Sequence, residues 1–193
     1  LALSSVTATL VSRTFFGIQP WYSVPSVEFT RLGQLPWFIF LGVLCGAMGG
    51  AFLKLLRVTE GGFARLKLPL TVKLALGGLG VGLIALQFPE VCGNGSVALN
   101  RILHDEFRQE SFPLLFLIGV LAAKLAATLI TVGSGAVGGV LTPTMFIGGS
   151  LGAVFGLALQ ELGYARTLPV ALFTAVGMGA TLAATTRAPL LAM

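Results

Sequence analysis

Fifty consecutive residues, Ser111 to Gln160, carry a single charge, Lys124. No soluble core absorbs so long an apolar run, and glycines with Pro143 inside it prevent one straight helix. The stretch predicts two or more helices, one of them stopping partway through a membrane. The rest of the chain agrees: 55% of the 193 residues are hydrophobic and 10% are charged, against roughly 25% charged in soluble domains. Mean hydropathy is +0.94, which excludes a disordered chain. The expected class is therefore an all-α, multi-pass integral membrane protein.

Uncharged runs locate the other spans, since a helix needs about 20 apolar residues to cross the hydrocarbon core. There are 22 uncharged residues between Arg31 and Lys54, 16 between Lys73 and Glu90, 36 between Lys124 and Glu161, and 20 between Arg166 and Arg187. The run of 16 spans only if Lys73 or Glu90 snorkels. The connection Lys54 to Lys73 holds Lys54, Arg57, Arg65, Lys67 and Lys73 against Glu60, so the positive-inside rule predicts a cytoplasmic loop there. The stretch from Glu90 to Glu110 is richer in acids and is expected outside, with Val97 to Phe107 as a short helix on the outer surface. Trp21, Tyr22 and Trp37 suit an interfacial aromatic belt.

The net charge of +5 does not point to nucleic acid, because the 12 basic residues edge apolar segments and form no patch with interleaved aromatics. Cys45 and Cys92 suggest no disulfide framework or metal cluster, and no cofactor is expected. His104, between Leu103 and Asp105, reads as a solvated surface residue. Three glycine series recur every four residues: Gly42, Gly46 and Gly50; Gly148, Gly152 and Gly156; Gly78 with Gly82. Each puts a smooth strip on one helix face and predicts close helix packing.

The chemistry is expected in Ser134-Gly135-Ala136-Val137-Gly138-Gly139-Val140-Leu141-Thr142-Pro143. Irregular backbone at membrane depth is tolerated only where protein buries it or it lines a cavity. The pattern predicts a loop leading into a helix that starts near Val140, with Pro143 in its first turn, where a missing N–H is harmless. Such a start turns free N–H groups and the positive end of the helix dipole inward, which suits an anion. A glycine hinge between packed helices is the plainer alternative. A phosphate loop is set aside, since its lysine is missing and Lys124 precedes Ser134 by ten residues. Lys124 itself either raises the potential along an anion path or snorkels or pairs with helix-end carbonyls. An enzyme is not expected, because the spans lack His, Asp and Glu. A structural membrane subunit explains the glycine faces but not the loop.

The run from Lys124 through Gly133-Ser134-Gly135, Gly138-Gly139 and Pro143 to Gly148, Gly152 and Gly156 closely resembles the second signature of the CLC family of chloride channels and proton-coupled chloride antiporters. Gly177-Met-Gly179 through Arg187-Ala-Pro189-Leu is similar to the family's C-terminal membrane helices. The resemblance covers essentially the whole chain and is weakest over Phe16 to Leu35. It implies an inverted-repeat helical fold with discontinuous helices, of which residues 1–193 form roughly the second repeat, truncated at both ends. It implies an anion site at Gly138, Gly139, Val140 and Leu141, with the amides of Val140 and Leu141 as donors and Ser134, Gly135, Pro143 and Lys124 in support. Leu141 stands where the family usually has phenylalanine. Chloride, or fluoride in one branch, is the implied cargo, with protons in the antiporters. Membrane lipid and a second copy of the protein are the implied partners, in the plasma or inner membrane. The dimer contact would involve Leu1 to Phe16 and a helix beginning at Pro189, while Arg187 is expected to anchor at the interface or pair with an acid.

Overall fold

The computed structural model describes residues 2–17, 22–24, 34–164 and 168–186. Among them the ordered elements are helical: α1 (Ala2–Phe16), α2 (Leu35–Arg65), α3 (Leu70–Gln87), α4 (Ser96–Leu103), α5 (Pro113–Gly133), α6 (Leu141–Glu161) and α7 (Val170–Thr186), with short 3₁₀ turns at Pro89–Val91 and Glu106–Gln109. Four of these, α2, α3, α5 and α6, are long and apolar enough to cross a membrane. The readings made for Trp21, Arg187 and Pro189 lie outside the described residues.

Prolines, not charges, set the helix ends. The loop expected from Lys54 to Lys73 is mostly helix, because α2 runs on to Arg65 and α3 begins at Leu70 behind Pro69. Only residues 66–69 join them. Lysine and arginine are good helix formers, so they mark where hydrocarbon gives way to water and leave the helix intact. Lys73 accordingly sits in the first turn of α3, which lengthens the 16-residue run to an 18-residue helix.

A hairpin of α6 and α7 forms the centre of the bundle. A Cβ on Gly148 would collide with the Gly177 carbonyl, and one on Gly152 with the carbonyl of Phe173. Only hydrogen at these positions lets the two backbones approach so closely. The Phe173 ring covers Gly156, stacks on Phe38 of α2 at 5.0 Å and meets Phe155 edge-on at 5.8 Å. The other two glycine series behave differently from expectation. Gly42, Gly46, Gly50, Gly78 and Gly82 face open space, while their neighbours Gly49, Gly77 and Gly80 make the contacts, against Ala184, Ser134 and Ile130 respectively.

The outer-surface helix expected over Val97 to Phe107 is also corrected. Helix α4 is inserted into the bundle: Ala98, Leu99, Ile102 and Leu103 are buried, and Leu99 lies against Gly149 midway along α6. Its apolar face has a closer partner in α6 than in the membrane surface. Tyr22 packs, partly buried, against the same core, and Trp37 lies 5.7 Å from Tyr164 near segment ends. His104 is exposed, as read from its neighbours.

Candidate functional site

Helix α5 ends in a double backbone lock. Gly135 donates its N–H to the Val132 carbonyl at 3.0 Å and Ala136 to the Thr131 carbonyl at 3.3 Å, the paired bonds of a helix closed by a left-handed residue. Gly135 has φ +94°, a conformation that disfavours any side chain with a Cβ. Ser134 is buried against Gly77 of α3, and its hydroxyl donates to the Thr131 carbonyl at 2.8 Å. Both residues thus terminate α5 and face α3. They do not line the cavity described next.

Beyond them, residues 136–139 carry no regular structure, and α6 starts at Leu141 with Val140 as its N-cap residue. The first turn bond runs from the Thr144 N–H to the Val140 carbonyl at 3.0 Å. Pro143 has no N–H, and the amides of Leu141 and Thr142 precede any intrahelical acceptor. Valine offers no side-chain oxygen, so α6 has no side-chain cap. Helix α4 also lacks a side-chain cap at its N-cap residue, Gly95, but the residue before it supplies an acceptor. There Asn94 accepts from both the N–H and the hydroxyl of Ser96, at 3.1 and 2.9 Å.

Gly138, Gly139 and Pro143 line a cavity of about 320 Å³ together with Lys124. A Cβ on either glycine would meet nothing within 4 Å, so their backbone borders open space. Lys124 is 3% exposed. Its ammonium donates to the carbonyls of Val91 at 2.8 Å and Gly93 at 2.9 Å and lies 5.3 Å from the centre of the Phe146 ring. Among the described residues no carboxylate forms an ion pair with it. Neutral carbonyl dipoles and a π face stabilise the charge without cancelling it. The expected pairing with helix-end carbonyls is met at Val91, which closes a 3₁₀ turn, while Gly93 lies in the turn beyond it; the same side chain also borders the cavity.

Neither Val140 nor Leu141 is among the residues that line the cavity, and Leu141 is 55% exposed. Sequence reasoning missed Val81, Val91, Cys92 and Gly93, which the turn before α4 and the adjoining face of α3 bring to the wall. No local pattern marks them. Thr128 and Thr131 also line it, and their spacing of four and seven residues from Lys124 places them on one helix face. Both hydroxyls donate to carbonyls one turn back, Lys124 at 2.8 Å and Ala127 at 2.7 Å.

An apolar bundle, an interrupted α5–α6 pair and a buried lysine at the break now meet an independent comparison. The family model described as "Voltage gated chloride channel" matches residues 1–193. This chain belongs to the CLC family. Among its relatives, a putative ClcB-like chloride channel protein of Ralstonia nicotianae is 41% identical over all of this chain and 44% of its own length. Chloride channel protein CLC-f of Arabidopsis thaliana is 37% identical over 98% of this chain and 26% of its own. A ClcB of Escherichia coli O9:H4 is 38% identical, again over 44% of its length. The crystal structure of a CLC-type fluoride/proton antiporter superposes with a TM-score of 0.67 at 23% identity, covering 94% of this chain and 43% of that one. The CLC fold is therefore shared, and the chain spans less than half the length of these relatives. Membership and the four apolar helices make this an integral membrane protein.

Proposed function

We propose that this CLC chain forms part of a chloride-transporting pathway in which the start of α6 binds the anion. The observation that carries the reading is the uncapped α6 start beside a cavity bordered by Gly138, Gly139 and Lys124. The amides of Val140 and Leu141 would donate to the ion, the helix dipole would favour its charge, and the uncancelled Lys124 ammonium would raise the local potential. Gly138 and Gly139 keep side chains out of its way. Pro143 removes one competing donor from the first turn, while Ser134 and Gly135 support the site by ending α5 where they do. No step in this scheme makes or breaks a covalent bond, so the protein acts as a channel or antiporter and not as an enzyme.

The full-length protein is read as a homodimer in the plasma or inner membrane, with one anion path per subunit. Its basic hairpin between α2 and α3 is placed in the cytoplasm. A cysteine introduced at Lys67, in a background lacking Cys45 and Cys92, should resist an impermeant thiol reagent on intact cells, and one at Asp105 should react. The reverse pattern overturns the orientation.

The transport reading is tested by anion efflux from liposomes holding the full-length protein, followed with chloride and fluoride electrodes. Chloride efflux is expected. Fluoride efflux without chloride efflux would move the protein to the fluoride-exporting branch. Efflux of neither ion would leave a structural subunit.

A further inference from the structure

The two ends of the bundle treat their charges differently. At the end built from residues 88–112, Arg101 lies 3.6 Å from Glu90 and 3.2 Å from Glu106, and Arg108 lies 3.6 Å from Asp105. At the opposite end Lys54, Arg57, Arg65 and Lys67 are exposed, and among the described residues none of them forms an ion pair. Glu60, the one acid between them in sequence, neutralises none. Lys54, Arg57 and Arg65 fall within about 80° of one another around the helix axis at 3.6 residues per turn. Exposed Leu55, Val58, Leu66 and Leu68 are interleaved with these cations.

Depth places this mixture at a boundary. Helix α5 is about 31 Å long, matching a hydrocarbon core of about 30 Å. Its end at Gly133 sits against Thr59 and Phe63 of α2, and Gly135 sits against Leu70. Those residues mark the level at which α5 ends, next to the basic hairpin. Lys54 lies about 8 Å below Thr59 along α2 at 1.5 Å per residue, within reach of the boundary by snorkelling. Arg65 and Lys67 lie beyond that level.

We propose that the α2–α3 hairpin binds the phosphate headgroups of anionic phospholipids in one leaflet, through Lys54, Arg57, Arg65 and Lys67, with Leu55, Val58 and Leu68 among the acyl chains. The complementarity is specific to a membrane surface: unpaired cations meet net negative headgroups while the apolar side chains between them stay out of water. The proposal rests on the chain spanning a bilayer and is independent of the anion site.

The test uses the full-length protein in nanodiscs of equal phosphatidylglycerol and phosphatidylethanolamine, with retained lipids counted by native mass spectrometry. Phosphatidylglycerol should be enriched on the unmodified protein. The combined K54Q/R57Q/R65Q/K67Q variant should lower that enrichment about tenfold or more, since one cation near an anionic surface contributes about fivefold. An R101Q/R108Q variant at the other end should leave it unchanged. Equal retention of both lipids, or enrichment that survives the fourfold substitution, overturns the proposal; the latter result would assign the cations to another protein segment. If the fourfold variant does not fold, the unmodified protein still decides. Its enrichment should fall in about 1 M salt, where charges are screened beyond about 3 Å, and a salt-insensitive preference refutes it. Chloride efflux from matched liposomes is read separately, so that loss of lipid preference with efflux intact leaves the anion reading standing.

Discussion

Gly148, Gly152 and Gly156 on α6 and Gly42, Gly46 and Gly50 on α2 have the same spacing and the same apolar surroundings, yet only the first series is closed. On α6 the backbone of α7 fills the strip so fully that carbonyls of Phe173 and Gly177 occupy the space where side chains would begin. On α2 the strip faces outward, and its neighbour Gly49 makes the contact with Ala184 instead. A four-residue glycine repeat therefore shows that a helix offers a smooth face. Whether another helix uses that face depends on which way the tertiary fold turns it.

Substitution at four glycines can break or sharpen this contrast. The largest effect is expected for Gly152→Val, which drives a side chain into the Phe173 backbone. Overpacking at such a contact costs about 3 kcal/mol or more, enough to remove the monodisperse peak of the full-length protein in size-exclusion chromatography. Retention of that peak would mean that α6 and α7 are less tightly joined than the structure has them.

Gly135→Ala should come next. Its left-handed φ costs an alanine about 1–2 kcal/mol, while the Leu70 methyl that its Cβ would approach at 2.9 Å can swing away. A modest fall in the thermal unfolding temperature, with the protein still folded, is the expected readout.

Gly139→Val separates stability from function. Its Cβ would meet nothing within 4 Å, so stability should change by no more than about 0.5 kcal/mol. Chloride affinity measured by calorimetry should nonetheless fall about tenfold, equivalent to about 1.4 kcal/mol. Unchanged affinity would count against the cavity as the place of binding.

The smallest effect belongs to Gly46→Ala, which meets nothing within 4 Å and should change stability by no more than about 1 kcal/mol, in the stabilising direction, because alanine suits a helix interior better than glycine. A large loss there would show that an additional helix covers the α2 strip in the full-length protein, and the contrast drawn above would then hold only for this chain.

The two helix starts inside the bundle repeat the lesson at smaller scale. Helix α4 has Asn94 two residues before Ser96 to accept its first amide, and its apolar residues Ala98, Leu99 and Ile102 are buried. Helix α6 begins at Val140, where nothing in the side chain can accept, beside two glycines that leave room. That difference is legible in the residues themselves. The depth of α4 is not, because the same amphipathic pattern fits a membrane surface and a groove against Gly149.

By itself the sequence determined the quantities that depend on neighbouring residues: the apolar runs, the interruption between Gly133 and Leu141, the proline in the first turn of α6, and the motif that assigns the chain to its family. Helix propensity, hydrocarbon thickness and the missing N–H of proline act within a few residues, so they can be read along the chain. Only the tertiary structure decided that Lys124 would donate to Val91 and Gly93, some thirty residues earlier in the chain, at 2.8 and 2.9 Å. It likewise turned Gly148 and Gly152 inward and Gly42 and Gly46 outward. A buried ammonium bonds whatever carbonyls the fold brings within reach, and a bare helix face packs on whichever helix arrives, so both outcomes are set by contacts distant in sequence.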